Sequence, residues 1–123
     1  MAESILLEKA KDFAVEIVFL CKSIKEEKRE SVMTNQLIRS GTSIGANIHE
    51  SKYGHSAADF IAKMQIALKE CYESEYWLEL LNRTQFLPDD RYKTLKNNCG
   101  AIRRMLISSI NTAGSNDKSK EEY

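Results

Sequence analysis

Apolar residues recur along this chain at the three-and-four spacing of a helix face, in four separate stretches. The first, over about residues 5–28, carries Leu6, Ala10, Phe13, Ile17, Leu20 and Ile24, with Ala14, Val18 and Cys21 widening the stripe. The second, about 32–52, carries Leu37, Gly41, Ile44 and Ile48. The third, about 56–82, keeps the rhythm through Phe60, Met64, Ala67, Cys71, Ser74, Leu78 and Leu81. The fourth, about 89–112, holds Tyr92, Leu95, Cys99, Ile102, Leu106 and Ile110.

Local signals separate these stretches. The charged string Lys25–Glu30 closes the first, and Gly54 suits a left-handed helix end after the second. Ser56-Ala57-Ala58-Asp59 has the form of a capping box, and Pro88-Asp89-Asp90 suits a first helical turn. Residues 113–123 lack apolar periodicity and are expected to form a flexible tail. Four amphipathic helices joined by short connections predict an all-α, antiparallel up-down-up-down four-helix bundle over residues 1–112.

Two helices carry more pattern than one core requires. Beside its apolar stripe the second helix bears Gln36, Ser40, Ser43, Asn47 and Glu50 at helical spacing, with Arg39 adjoining. Gly41 and Gly45 lie within it, and each costs about 1 kcal/mol against alanine, so close approach of another helix is expected there. If the second and third helices turn near Gly54, residues whose numbers sum to about 108 lie level. Arg39 then meets Glu70 or Glu73, a charge-assisted contact fixing register or a subunit boundary. The third helix adds Ile66, Tyr76, Trp77 and Leu80 off its main stripe, and the first adds Val15 and Phe19. Surplus apolar surface of this kind marks an interface, and self-association is the expected partnership.

Composition narrows the functional classes. The 123 residues hold 18 Lys+Arg against 18 Asp+Glu, so no polybasic arm or acidic tail stands out. No apolar run is long enough for a bilayer, and the acidic N-terminal residues do not look like a secretory signal. Cys21, Cys71 and Cys99 are odd in number and lack a C-x-x-C pair, which predicts free thiols in a reducing cytoplasm. Neither cofactor nor small-molecule substrate is expected. No Glu-x-x-His pair supports a di-iron site, and the only histidines are His49 and His55. Glu70-x-x-Glu73 resembles half of the magnesium site of helical nucleotide pyrophosphohydrolases, but the second acidic element is missing. A magnesium-dependent nucleotide hydrolase is therefore a distant alternative. RNA is a stronger one. One end of the expected bundle gathers Lys22, Lys25, Lys28, Arg29, Arg83, Arg91, Lys93 and Lys96, eight bases against the six acids Glu26, Glu27, Glu30, Glu79, Asp89 and Asp90.

The run Gln36-x-x-Arg39-Ser40-x-x-Ser43-Ile44-x-x-Asn47-Ile48-x-Glu50 resembles the signature of the four-helix-bundle proteins encoded within intervening sequences of bacterial 23S ribosomal RNA genes. Phe60, Ile66-Ala67-Leu68-Lys69-Glu70, Glu73-x-Glu75-Tyr76-Trp77-Leu78 and Arg104-Met105-Leu106 extend the likeness over roughly residues 8–110. The same family includes the accessory variability determinant of diversity-generating retroelements. The resemblance implies a homopentamer of bacterial type; a non-enzymatic cytoplasmic protein is expected, with Glu70, Glu73 and Glu75 as candidate helix-three partners of the polar stripe. The retroelement relative is basic and works with a reverse transcriptase and RNA. This neutral chain looks more like the intervening-sequence proteins, which have no established activity.

Overall fold

The computed structural model describes residues 2–121, with side chains for residues 5–115. It contains α1 (Ala2–Lys28), α2 (Val32–Ser51), α3 (Ala57–Arg83) and α4 (Asp89–Glu121), and no strand among the described residues. Each helix packs on its neighbours in sequence, and α4 closes back onto α1. The helices α1 and α3 therefore occupy one diagonal of the bundle, and α2 and α4 the other. The stripes read from the sequence form a single core. Phe13, Ile17, Leu37, Ile44, Met64, Leu78, Leu95 and Ile102 are all almost completely buried in it.

The helix ends depend on residues with no obvious sequence signature. Arg29 and Gln85, rather than Gly54, take the left-handed conformation, with φ of 57° and 70°. Gln85 sits at the end of α3, where the Phe86 amide donates to the Leu81 carbonyl (2.9 Å) and the Gln85 amide to the Asn82 carbonyl (3.0 Å). That pair of bonds is a Schellman closure built without glycine. Gly54 has ordinary φ; its constraint is space, since a Cβ there would lie 3.0 Å from Asp59 Cβ. Asp59 is itself part of the α3 cap, its amide donating to Ser56 Oγ (3.1 Å) and its carboxylate accepting from the His55 amide (3.2 Å).

At the start of α2, Ser31 does not cap through its side chain. Glu30 does so instead, accepting from the amides of Met33 (2.8 Å) and Thr34 (2.9 Å). Burial raises the Glu30 pKa, but these amide bonds outweigh it and hold the carboxyl below its ordinary value. The backbone of α4 continues as helix to Glu121, past the last position of its apolar stripe. No proline interrupts those residues, so polar side chains alone do not end the helix.

The two glycines of α2 serve different purposes. Gly41 faces α1, where an added Cβ would come within 3.0 Å of Ile17 Cγ2. Gly45 faces Ala10, and an added Cβ there would lie 3.6 Å from Ala10 Cβ, an ordinary contact distance. Close approach of α1 thus requires glycine at Gly41 alone.

Candidate functional site

The polar stripe of α2 turns toward α3. Ser40 is fully buried, and Ser74 Oγ of α3 donates to Ser40 Oγ (3.0 Å), which donates on to the Leu37 carbonyl (3.3 Å). One turn outward, Arg39 spans two carboxylates. Its Nη1 donates to Glu70 Oε2 at 2.8 Å and its Nη2 to Glu73 Oε2. Trp77 Nε1 donates to the same Glu73 oxygen at 3.1 Å. The bonds from Arg39 and Trp77 hold Glu73 below the usual carboxylate range.

The expected contact of Arg39 with Glu70 and Glu73 is present, but Ser40 and Glu50 meet Ser74 and Lys63, five to six residues further along α3 than a turn centred on Gly54 places their level partners. Farther along, Ser43 Oγ donates to the Arg39 carbonyl (2.6 Å), Asn47 Nδ2 to the Ser43 carbonyl (2.8 Å), and Glu50 pairs with Lys63 (3.6 Å). Gln36 is exposed and makes no hydrogen bond among the described residues. Within α3–α4 the pairing differs from expectation. Glu75 turns away from the stripe and binds Arg103 of α4 at 3.0 Å. Its position explains this, because a residue two beyond Glu73 lies on another face of the same helix.

Arg39 brackets Glu70 and Glu73 together. Arg39 supplies the positive charge between Glu70 and Glu73, where the sequence left room for a magnesium ion. No buried side-chain polar atom among the described residues lacks a partner, so no polar group in the seam is left waiting for a ligand. No group of three or more metal-ligating side chains gathers among the described residues. The cysteines are all buried. Burial pushes Cys21 up to about 12, and the contact with Cys71, together with burial, raises Cys99 further. Thiols held protonated in this way behave as small apolar groups.

The remaining sequence candidates lie on outer surfaces. Val15 (54% exposed) and Phe19 (66%) project from the back of α1 beside Ala14 and Val18, bordering an apolar surface depression. On α3, Ile66 (45%) and Tyr76 (57%) are open, while Trp77 and Leu80 are half-buried. Trp77 therefore serves the Arg39 bracket as well as the outer face, with Tyr76 edge-on to it at 5.0 Å.

Several of the bases expected at one end of the bundle have partners of their own. Lys28 Nζ reaches the carbonyls of Gln85 and Phe86, both at 3.4 Å, tying α1 to the α3–α4 connection. Lys22, Lys25, Arg29 and Arg91 lie toward this end, Arg83 pairs with Glu79 (3.2 Å), and Lys96 sits over the Tyr92 ring. A feature that sequence reading missed lies farther along α4. Arg103 and Arg104 converge over Gly100, whose missing Cβ would meet Arg104 Nη1 at 3.3 Å and Arg103 Nη2 at 3.4 Å. The signal was present in the sequence, because residues 91–116 contain five bases and not one acid.

Fold and site together define an all-α bundle whose distinctive polar residues lock one helix pair. No helix is long and apolar enough to cross a membrane among the described residues. The chain belongs to the 23S rRNA-intervening sequence protein family, whose model matches residues 2–108. It is similar to a protein of unknown function from the S23 ribosomal protein family of Bacteroides thetaiotaomicron. That crystal structure superposes with a TM-score of 0.89 at 48% identity, covering 90% of this chain and 99% of the other. No curated protein matches the chain.

Proposed function

We propose that the protein is a non-enzymatic, self-associating module of the bacterial cytoplasm, in which one copy's α1 outer face docks on the next copy's α3 outer face. The observation that carries this reading is the pair of unpartnered apolar surfaces, Val15–Phe19 on α1 and Ile66–Tyr76 on α3. They sit on helices that are diagonal across the bundle. Two different patches on opposite sides favour a heterologous contact, which closes into a ring when the rotation allows. A ring of five is the number the family resemblance implies. In this reading the Arg39 bracket sets the pitch of α2 against α3, and so the angle at which α3 is presented. Multi-angle light scattering of the full chain tests it. A single species well above 14.1 kDa is expected, with Phe19→Glu and Ile66→Glu each giving folded monomer. A wild-type monomer at high micromolar concentration would overturn the reading.

A further inference from the structure

The geometry points to a second binding surface, the exposed α4 face flanked by α3, and to a single-stranded nucleic acid as its ligand. Lys93, Lys96, Arg103 and Arg104 recur at helical spacing around Gly100, spread over about 16 Å of helix axis. Between residues 91 and 116 no carboxylate interrupts them. Lys93, Lys96 and Arg104 form no ion pair among the described residues. The neighbouring acids of α3 are already engaged, Glu75 by Arg103 (3.0 Å) and Glu79 by Arg83 (3.2 Å). The strip is thus a run of three bases without an ion pair among the described residues, Lys93, Lys96 and Arg104, beside the Arg103–Glu75 pair.

Two details select the ligand. First, Arg103 and Arg104 bring like charges together over the bare backbone of Gly100. Glu75 already balances Arg103, so the Arg104 guanidinium is the one left open to a phosphate, for which its bidentate geometry is suited. Second, the strip is interleaved with rings. Arg103 lies over Tyr72 (5.6 Å) and Lys96 over Tyr92 (5.7 Å), and Tyr72 is 52% exposed. Tyr72 beside the strip offers a ring on which an unpaired nucleobase can stack, which a duplex would not present, while Tyr92 packs partly against the core. A lipid surface fits less well, since the exposed large apolar groups lie mainly on α1 and the outer face of α3. This surface does not depend on self-association.

Fluorescence anisotropy with labelled oligonucleotides of about 20 nucleotides, RNA and DNA in separate arms, provides the test. Binding of either is expected at 50 mM salt, and the arms identify which sugar is preferred. With three phosphate contacts, affinity should fall roughly 20-fold between 50 and 200 mM salt. The Lys93→Glu/Arg104→Glu variant should lose about tenfold or more. The milder Lys93→Gln/Arg104→Gln variant should lose less, and Lys9→Glu/Lys52→Glu, with the same charge change elsewhere, should bind nearly as wild type. Circular dichroism establishes that each variant is folded. The proposal is overturned by absence of binding in both arms, by affinity indifferent to salt, by equal losses in the two reversal variants, or by capture on phosphatidylserine vesicles instead of oligonucleotides.

Discussion

The α2–α3 seam and the outer faces of α1 and α3 present opposite kinds of surface. The seam holds the residues that look chemical in the sequence, namely Arg39, Ser40, Glu70, Glu73 and Trp77, and the structure engages each with a neighbour. The outer faces hold plain apolar residues such as Val15, Phe19 and Ile66, for which the chain supplies no cover. The difference teaches that polarity at helical spacing here marks internal fit, while surplus hydrophobicity marks the surface available to another molecule. The two phenylalanines of α1 show the contrast within one helix, with Phe13 at 1% exposure and Phe19 at 66%.

That pair gives the largest expected effect. Phe13→Ala should cost about 3–5 kcal/mol by urea denaturation, because it empties a fully packed core position. Phe19→Ala should change the stability of a dilute monomer by no more than about 0.5 kcal/mol, while lowering the concentration-dependent mass. Equal losses of stability in the two variants would erase the distinction between core and outer face.

The bracket comes next. Arg39 is half exposed, so solvent screening limits its contribution, and Arg39→Gln should cost about 1–2 kcal/mol, mainly by leaving Glu70 poorly compensated. Its pH dependence sharpens the point. Arg39 and Trp77 lower the folded-state pKa of Glu73, and hydrogen bonds lower that of Glu30 despite its burial. Depressed carboxyls contribute stability that is fully present above their unfolded value and is lost as pH falls through the folded one. The urea midpoint should therefore decline below about pH 4.5, less steeply in Arg39→Gln than in wild type. Parallel acid limbs would remove Arg39 as the cause.

The smallest effect separates the two glycines. Gly45→Ala should stabilise the fold by up to about 1 kcal/mol, since the new methyl meets Ala10 at ordinary distance. At Gly41 the same change presses on Ile17 and should gain less or destabilise. Thermal melts of the two variants at matched concentration decide this order.

Much of this was legible in the sequence because helical periodicity is strong and the chain has few breakers. The four stripes, most of their buried members and the choice of Glu70 and Glu73 as partners of Arg39 follow from spacing, since an antiparallel hairpin converts residue numbers into approximate neighbours. Other features depend on three-dimensional closeness or on unfavoured backbone conformations. Glu30 caps α2 from a position where Ser31 fits the usual preference. Gln85 adopts a left-handed φ normally assigned to glycine, because Phe86 and Leu87 must turn back onto Leu81. Glu75 serves α4 rather than α2, and the meeting of Arg103 and Arg104 over Gly100 requires knowing their side-chain directions. The extent of α4 was not legible for another reason: lack of an apolar stripe shows lack of a buried face, not lack of a helix.

Mixing two interface variants tests the heterologous assembly most directly. Phe19→Glu retains an intact α3 face and Ile66→Glu retains an intact α1 face, so each alone should be monomeric near 14.1 kDa. Combined in equal amounts, they should form a capped one-to-one dimer by light scattering, because one undamaged contact becomes available. A mixture that stays monomeric, or single variants that assemble as wild type does, would contradict docking of α1 on α3.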